Sequence, residues 1–188
     1  MRIGIDVMGG DYAPLEAVKG ASLAAKALKD VELVLFGSIG EILRVCESES
    51  IDSKSFTIID TPDVIEMAEH PVKALLSKPN SSIAQGFLQL AQGNIGAFLS
   101  AGNTGAMLVG SIQYLKLVDG CDRPCLTAAI PRANMNPGLL LDVGGRRILF
   151  SGDLGRPDDP LMNPPEPPPQ ADTVLIESTY GNRQHPKE

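Results

Sequence analysis

The 188-residue chain has no tryptophan, two histidines and three cysteines, and only 4% of it is aromatic. Each shortage removes a class of function. His70 and His185 lie far apart, so neither a histidine-rich metal centre nor a Ser/His/Asp triad is legible. Cys46, Cys121 and Cys125 form an odd set with no paired spacing. They read as reduced thiols of a cytosolic protein, not as a disulfide framework, and Cys121 and Cys125 have no nearby histidine with which to build a zinc knuckle. Acidic residues outnumber basic ones, 23 to 16, for a net charge of −7. A general nucleic-acid binder draws its affinity from cations set against phosphates, so nucleic acid is not an expected partner. No apolar run approaches the ~20 residues that cross a bilayer, and the chain opens on a strand pattern where a signal peptide would have a charged and apolar leader. A local anion site remains open to such a chain, because backbone N–H groups add no formal charge.

What is present is an alternation. Short apolar runs at 3–7, 31–37, 56–60, 97–100, 126–130 and 139–143 read as strands. Between them, helical spacing predicts helices over 14–29, 38–47, 71–77, 81–92 and 104–117, with Pro14 suited to a first turn and Ser38 to a cap. The apolar runs do not alternate strictly with polar residues, which is the pattern of strands covered on both faces. The expected fold is therefore α/β with a mostly parallel sheet, and ligands of such sheets bind beyond the carboxyl ends of the strands.

Three stretches at strand ends carry candidate chemistry. In "FLSAGNTGAMLVG" (98–110), Ser100, Gly102, Asn103, Thr104 and Gly105 stand between a strand and a helix. Unpaired amides of the helix's first turn, two glycines that permit close approach, and neutral side-chain donors suit a phosphate or a developing oxyanion. The same residues also suit an ordinary strand-to-helix turn capped by Asn103 or Thr104, and the Walker pattern is absent. In "DVMGGDYAP" (6–14), Asp6 ends a strand, Gly9 and Gly10 make a turn, and Asp11 is placed to cap the next helix; a plain Gly-Gly turn accounts for these residues equally well. In "VIEMAEHPVKALLSKPNSS" (64–82), Lys73, Lys78 and Ser81-Ser82 either face an anion or belong to a solvated helix with an ordinary cap, the safer reading for Lys78. His70, before Pro71, reads as a loop residue.

Taken together, "MRIGIDVMGGDYAP", "VIEMAEHPVKA", "SSIAQGF", "FLSAGNTGAML", "DRPCLTAAIP" and "LLLDVG" resemble the bacterial phosphate acyltransferases of the PlsX family, in that family's order and spacing, over about residues 1–143. The resemblance implies a three-layer α/β sandwich akin to phosphotransacetylases and isocitrate-dehydrogenase-like proteins. It implies formation of acyl phosphate from inorganic phosphate and acyl-[acyl-carrier-protein] in phospholipid synthesis, with no cofactor and no metal. It also implies a homodimer, cytoplasmic and peripheral to the inner face of the membrane. Asn103, Thr104 and Lys73 would then be catalytic. Ser100, Gly102, Gly105, Asp6, Gly9, Gly10 and Asp11 would form the substrate-binding loops.

Beyond Gly144 the pattern changes. The family continues with roughly as many residues again, whereas this chain continues with Gly145-Arg146-Arg147, and residues 157–169 hold seven of its fifteen prolines. Such a run favours extended polyproline II over helix or central strand. "SGDLG" and "TVLIESTYG" resemble a fragment of the β-CASP metallo-β-lactamase-fold RNA-processing hydrolases, with Asp153 and Glu177 at that family's acidic positions. The histidines of that family's metal site are missing, so no metal site is expected. The expected organisation is an acyltransferase-like domain over 1–144 joined to an unrelated segment over 145–188 that contributes one or two strands. Two other readings remain: a hydrolase fragment, which metal-dependent RNA cleavage would reveal, and a folded module without catalysis, which would melt cooperatively and do neither.

Overall fold

A computed structural model describes residues 1–115, 117, 119, 124–130, 138–142, 147–152 and 173–176. The chain forms two compact units, Met1–Asp122 and Arg123–Glu188. The first contains β1 (Arg2–Asp6), α1 (Leu15–Ala27), β2 (Glu32–Gly37), α2 (Ile39–Ser48), a 3-10 turn at Ser53–Ser55, β3 (Thr57–Asp60), α3 (Pro71–Ser77), α4 (Ser82–Ala91), β4 (Ala97–Ser100) and α5 (Thr104–Tyr114). Its sheet is parallel throughout, in the order β3-β2-β1-β4.

Strand alternation divides the core. Val7, Leu33 and Leu35 point to one face and pack with Val18 and Ala21 of α1 and with Ile42 and Cys46 of α2. Val34 and Phe36 point to the other, where Phe98, Leu90 and Ile95 meet them. A third cluster joins α3, α4 and α5 through Ala74, Leu75, Ile83, Phe87 and Ala106. Helices thus cover both faces, the three-layer α/β arrangement that the sequence predicts. Phe98 is the joint of the second face: its ring meets Phe36 edge-on at 5.7 Å and Phe87 at 5.4 Å. Such T-shaped pairs align a ring edge with a π-face and add to simple burial. Gly86 on α4 makes room, because a Cβ there would overlap the Phe98 ring.

Helix starts depart from expectation in two places. Asp11 does not cap α1. The chain turns through residues 11–14, with Ala13 N–H on the Gly10 carbonyl, and the helix begins after Pro14, which makes no side-chain cap. Leu15 lies four positions after Asp11, beyond the reach of a cap to the second or third helical amide. Ser38 does stand at the cap position of α2 but makes no side-chain cap bond. Asp60, at the end of the neighbouring strand, takes the Ile39 N–H at 3.0 Å instead.

The runs at 126–130 and 139–143 are strands, but they pair in a second sheet, ordered β5-β6-β7-β8, with β5 (Leu126–Ile130), β6 (Gly138–Asp142), β7 (Arg147–Gly152) and β8 (Thr173–Ile176). β5–β6 and β6–β7 are antiparallel and β7–β8 parallel. Only residues 131–137 separate β5 from β6, and a parallel return needs a dozen or more. Residues 145–188 thus contribute β7 and β8 to the sheet that β5 and β6 begin, and among the described residues β4 is an edge strand of the first sheet, with Leu99 55% exposed.

The Phe98 joint yields a test. Alanine is the better helix former by ~1 kcal/mol, yet Gly86→Ala should lower the urea midpoint, because overpacking against the ring costs ~1–3 kcal/mol. A raised midpoint would show that the ring is not held where these contacts put it.

Candidate functional site

The topology selects the place. From β1 the chain moves outward to β2 and β3, then returns to lay β4 on the other side of β1. The loops after β1 and β4 leave adjacent strand ends for helices in different clusters, α1 with Val7, Leu33 and Leu35 and α5 with α3 and α4, and such a crevice is where open α/β sheets bind ligands. Asp6 and Ser100, the last residues of the two strands, are register partners. Asp6 is 3% exposed. Its Oδ2 accepts the Ser100 hydroxyl at 2.7 Å and its Oδ1 accepts the Met8 N–H at 3.0 Å. Ser100 Oγ in turn accepts the Gly102 N–H at 3.0 Å. A buried carboxylate needs such donors, and here they come from both loops. The loops also touch: a Cβ on Gly9 would lie 2.5 Å from the Gly102 nitrogen and 2.8 Å from Asp6 Oδ2. Gly10 adopts φ +98°, open to glycine with little strain, and Asp11 is exposed beyond it.

Above this floor sits the tip of α5. Asn103 is its cap, 5% exposed, with Oδ1 accepting the Ala106 N–H at 2.9 Å. Its Nδ2 donates to the carbonyls of Glu66, Met67 and Glu69 at 3.0, 3.3 and 3.0 Å. Two of the candidate donors are engaged within the protein, Asn103 as the cap that the sequence also allowed. The Asn103 side chain does not face an open pocket, because both ends of its amide are engaged within the protein. The Gly102 amide is likewise closed, by Ser100. What stays open are the amides of Asn103, Thr104 and Gly105, which have no intrahelical partner and no acceptor among the described residues. Thr104 is exposed; Gly105 is half-buried beneath the Pro71 ring, whose Cγ lies 2.5 Å from where its Cβ would be.

The segment before α3 closes the third side. Lys78 Nζ binds the Val64 carbonyl at 2.7 Å and both oxygens of Glu69, at 2.6 and 2.8 Å. Its three donors are thereby matched, so Lys78 is a strut rather than an anion ligand or a solvated charge. Glu69 went unnoticed in the sequence, where nothing marks it apart from its neighbours. The hydrogen bond and charge of Lys78 hold its carboxyl below the ordinary value of 4.5. Lys73 is exposed on α3, and His70 stands exposed at the helix's cap position. Ser81 caps α4 by accepting the Ala84 N–H at 3.4 Å, and Ser82 is buried behind it. Asp153 and Glu177 lie outside the described residues.

Two measurements check these bonds. Asp6→Ala strands the Ser100 hydroxyl and Ser100→Ala strands the Gly102 amide, so each should lower unfolding free energy by ~1–3 kcal/mol. Because they share one network, the double variant should lose less than the sum; strict additivity would show that the chain of bonds is not one unit. For Glu69 the folded-state value is depressed, so its contribution is full above the unfolded value and is lost as pH falls through the folded one. Lys78→Met should therefore flatten the stability loss seen on acidification below about pH 5; an unchanged acid limb in urea titrations would contradict the pairing.

Comparison with known proteins agrees with this architecture. A family model described as "Fatty acid synthesis protein" matches residues 1–147. The phosphate acyltransferase of Caldicellulosiruptor bescii is 42% identical over 144 residues, which are 77% of this chain and 43% of that protein. The phosphate acyltransferase of Dictyoglomus thermophilum is 38% identical over the same share of each, and that of Levilactobacillus brevis 37% identical over 147 residues, 77% of this chain and 41% of the other. The chain thus spans about two-fifths of the length of these curated relatives. With that match extending over most of its length, the chain belongs to the fatty acid synthesis protein family.

Proposed function

We propose that the chain serves acyl transfer to inorganic phosphate, binding phosphate or the acyl carbonyl it attacks at the tip of α5. The supporting observation is the run of open amides that includes Thr104 and Gly105, at the crevice between the ends of β1 and β4. The acyl donor in this reading is the thioester of acyl-[acyl-carrier-protein], in keeping with the relatives' shared name, phosphate acyltransferase. A phosphate oxygen adds to the thioester carbonyl carbon, and the carbonyl π electrons move onto oxygen. The tetrahedral oxyanion then collapses, the carbon–sulfur bond breaks, and the thiolate leaves to take up a proton. Phosphate is already a competent nucleophile, so orientation and oxyanion stabilisation supply most of the catalysis.

In this scheme the Thr104 and Gly105 amides and the Thr104 hydroxyl donate to negative charge, helped by the positive end of the α5 dipole. Lys73, two residues beyond Pro71, supplies a cation. Asn103 and Ser100 hold the donors in place from behind. Asp6, Gly9, Gly10, Gly102 and Asp11 form the facing wall. The partners proposed with it are acyl carrier protein and a second copy of the chain, in the cytoplasm at the inner membrane face. Among the described residues no helix is long and apolar enough to cross a membrane, so contact with lipid in this reading is peripheral.

A substitution at the helix's first position tests the donors cleanly. Asn103 has ψ 107°, a conformation that tolerates a following proline, and proline suits a first helical position. Thr104→Pro should therefore fold normally while deleting one amide donor. Its affinity for inorganic phosphate, followed by NMR titration, should fall about tenfold, the equivalent of one charge-assisted hydrogen bond; Thr104→Val, which keeps the amide, should lose less. Equal affinity in all three chains would remove the tip of α5 from the reading. Acyl phosphate trapped by hydroxylamine from acyl-carrier-protein thioester and phosphate tests the transfer itself.

A further inference from the structure

The residue that decides the shape of the α5 tip lies outside it. Asn103 works at both ends: its oxygen sets the first turn by capping Ala106, and its amide nitrogen is aimed by three carbonyls, of Glu66, Met67 and Glu69. Three carbonyls converge on one NH2 group only if the segment that carries them is curled. Two interactions hold that curl. Glu69 N–H donates to the Glu66 carbonyl at 3.1 Å, and Glu69 Oε2 accepts the Glu66 N–H at 3.4 Å. The Glu69 carboxylate then fastens to Lys78, which also takes Val64 at the start of the segment. The next two residues are His70, at the cap position of α3, and Pro71, whose ring covers Gly105. The curl thus meets α5 twice, at the cap and at the second helical residue, and Glu69 is where both lines start.

We infer that Glu69 is a positioning residue for the anion site: its main-chain carbonyl on Asn103 and its carboxylate on Lys78 together orient the open amides of Thr104 and Gly105. This rests on the anion reading of the α5 tip given above. Glu69 itself touches no substrate. Its side chain is a third exposed, and its charge is matched by Lys78, so it does not repel an anion at the tip as a free carboxylate would.

The test uses the full chain and inorganic phosphate. The side-chain NH2 resonances of Asn103 report its three acceptors directly, and the Thr104 and Gly105 amides report phosphate. Glu69→Ala should shift the Asn103 resonances toward solvent-exposed values and weaken phosphate binding about tenfold. Glu69→Gln retains an acceptor for Lys78 and should stay within about twofold of the unmodified chain. Lys78→Met breaks the same fastening from the other side and should reproduce the Asn103 shift. If Glu69 only adds stability, Glu69→Ala lowers the melting temperature but leaves the phosphate dissociation constant, measured well below the melt, unchanged; that result overturns the proposal. Unmoved Asn103 resonances in both Glu69→Ala and Lys78→Met overturn it independently of phosphate. An unmodified chain whose Thr104 and Gly105 amides ignore phosphate overturns the anion reading instead, and with it the role assigned here, even where Asn103 still responds to Glu69.

Discussion

The hydrogen bond from Ser100 to the buried carboxylate of Asp6 ties the ends of two strands that belong to different legs of the chain. Without it the crevice between β1 and β4 would have no fixed floor. The carboxylate is acceptor-only, so it demands donors, and the nearest ones are the Ser100 hydroxyl and the Met8 amide. Once the Ser100 proton is directed at Asp6, the serine oxygen is free to accept, and the Gly102 amide fills it. One buried charge thereby dictates the direction of three successive hydrogen bonds and the path of both loops. Gly9 and Gly102 are the steric counterpart of this arrangement, since a side chain on Gly9 would push the loops apart.

The same logic separates the donors that build the site from those that remain open. At a helix start the first amides are unsatisfied, and a chain can close them with its own groups or leave them for a guest. Here Gly102 and Ala106 are closed by side chains, and Asn103, Thr104 and Gly105 are not. The closed pair flanks the open run of three in sequence. Rigidity on both sides is what allows open amides to keep a direction, and preorganised direction is what makes a backbone donor useful to developing charge.

Much of the first unit was legible because its signals are local. Pro71–Ser77 and Ala97–Ser100 have the bounds that spacing predicts, and the other helices and strands agree within a few residues at each end. Covered strands gave themselves away by unbroken apolar runs such as Leu33–Phe36, all buried. What spacing could not convey was which partner each polar group would choose. "SAGNTG" offers the same donors whether Asn103 turns toward a ligand or toward residues 66–69, and the choice is made by a segment more than thirty positions away in sequence. Asp60 displaced Ser38 as the acceptor at α2 for the same reason: the better acceptor was local in space and distant in the chain. The pairing of β5 with β6 was hidden differently, since an apolar run shows that a strand exists but not which neighbour it takes.

The anion site proposed for an acidic protein requires an electrostatic account, and net charge alone misleads. With a net charge of −7, the chain as a whole repels phosphate, but screening confines each exposed charge to about 10 Å, so the local arrangement decides. Two of the carboxylates near the α5 tip are occupied within the protein. Asp6 is bound by a hydroxyl and an amide, and Glu69 by Lys78. Each of these contacts matches a carboxylate with a donor of the scaffold. These two acidic residues then serve as anchors of the scaffold, and the first-turn amides of α5 that they do not reach are left at the positive end of the helix dipole.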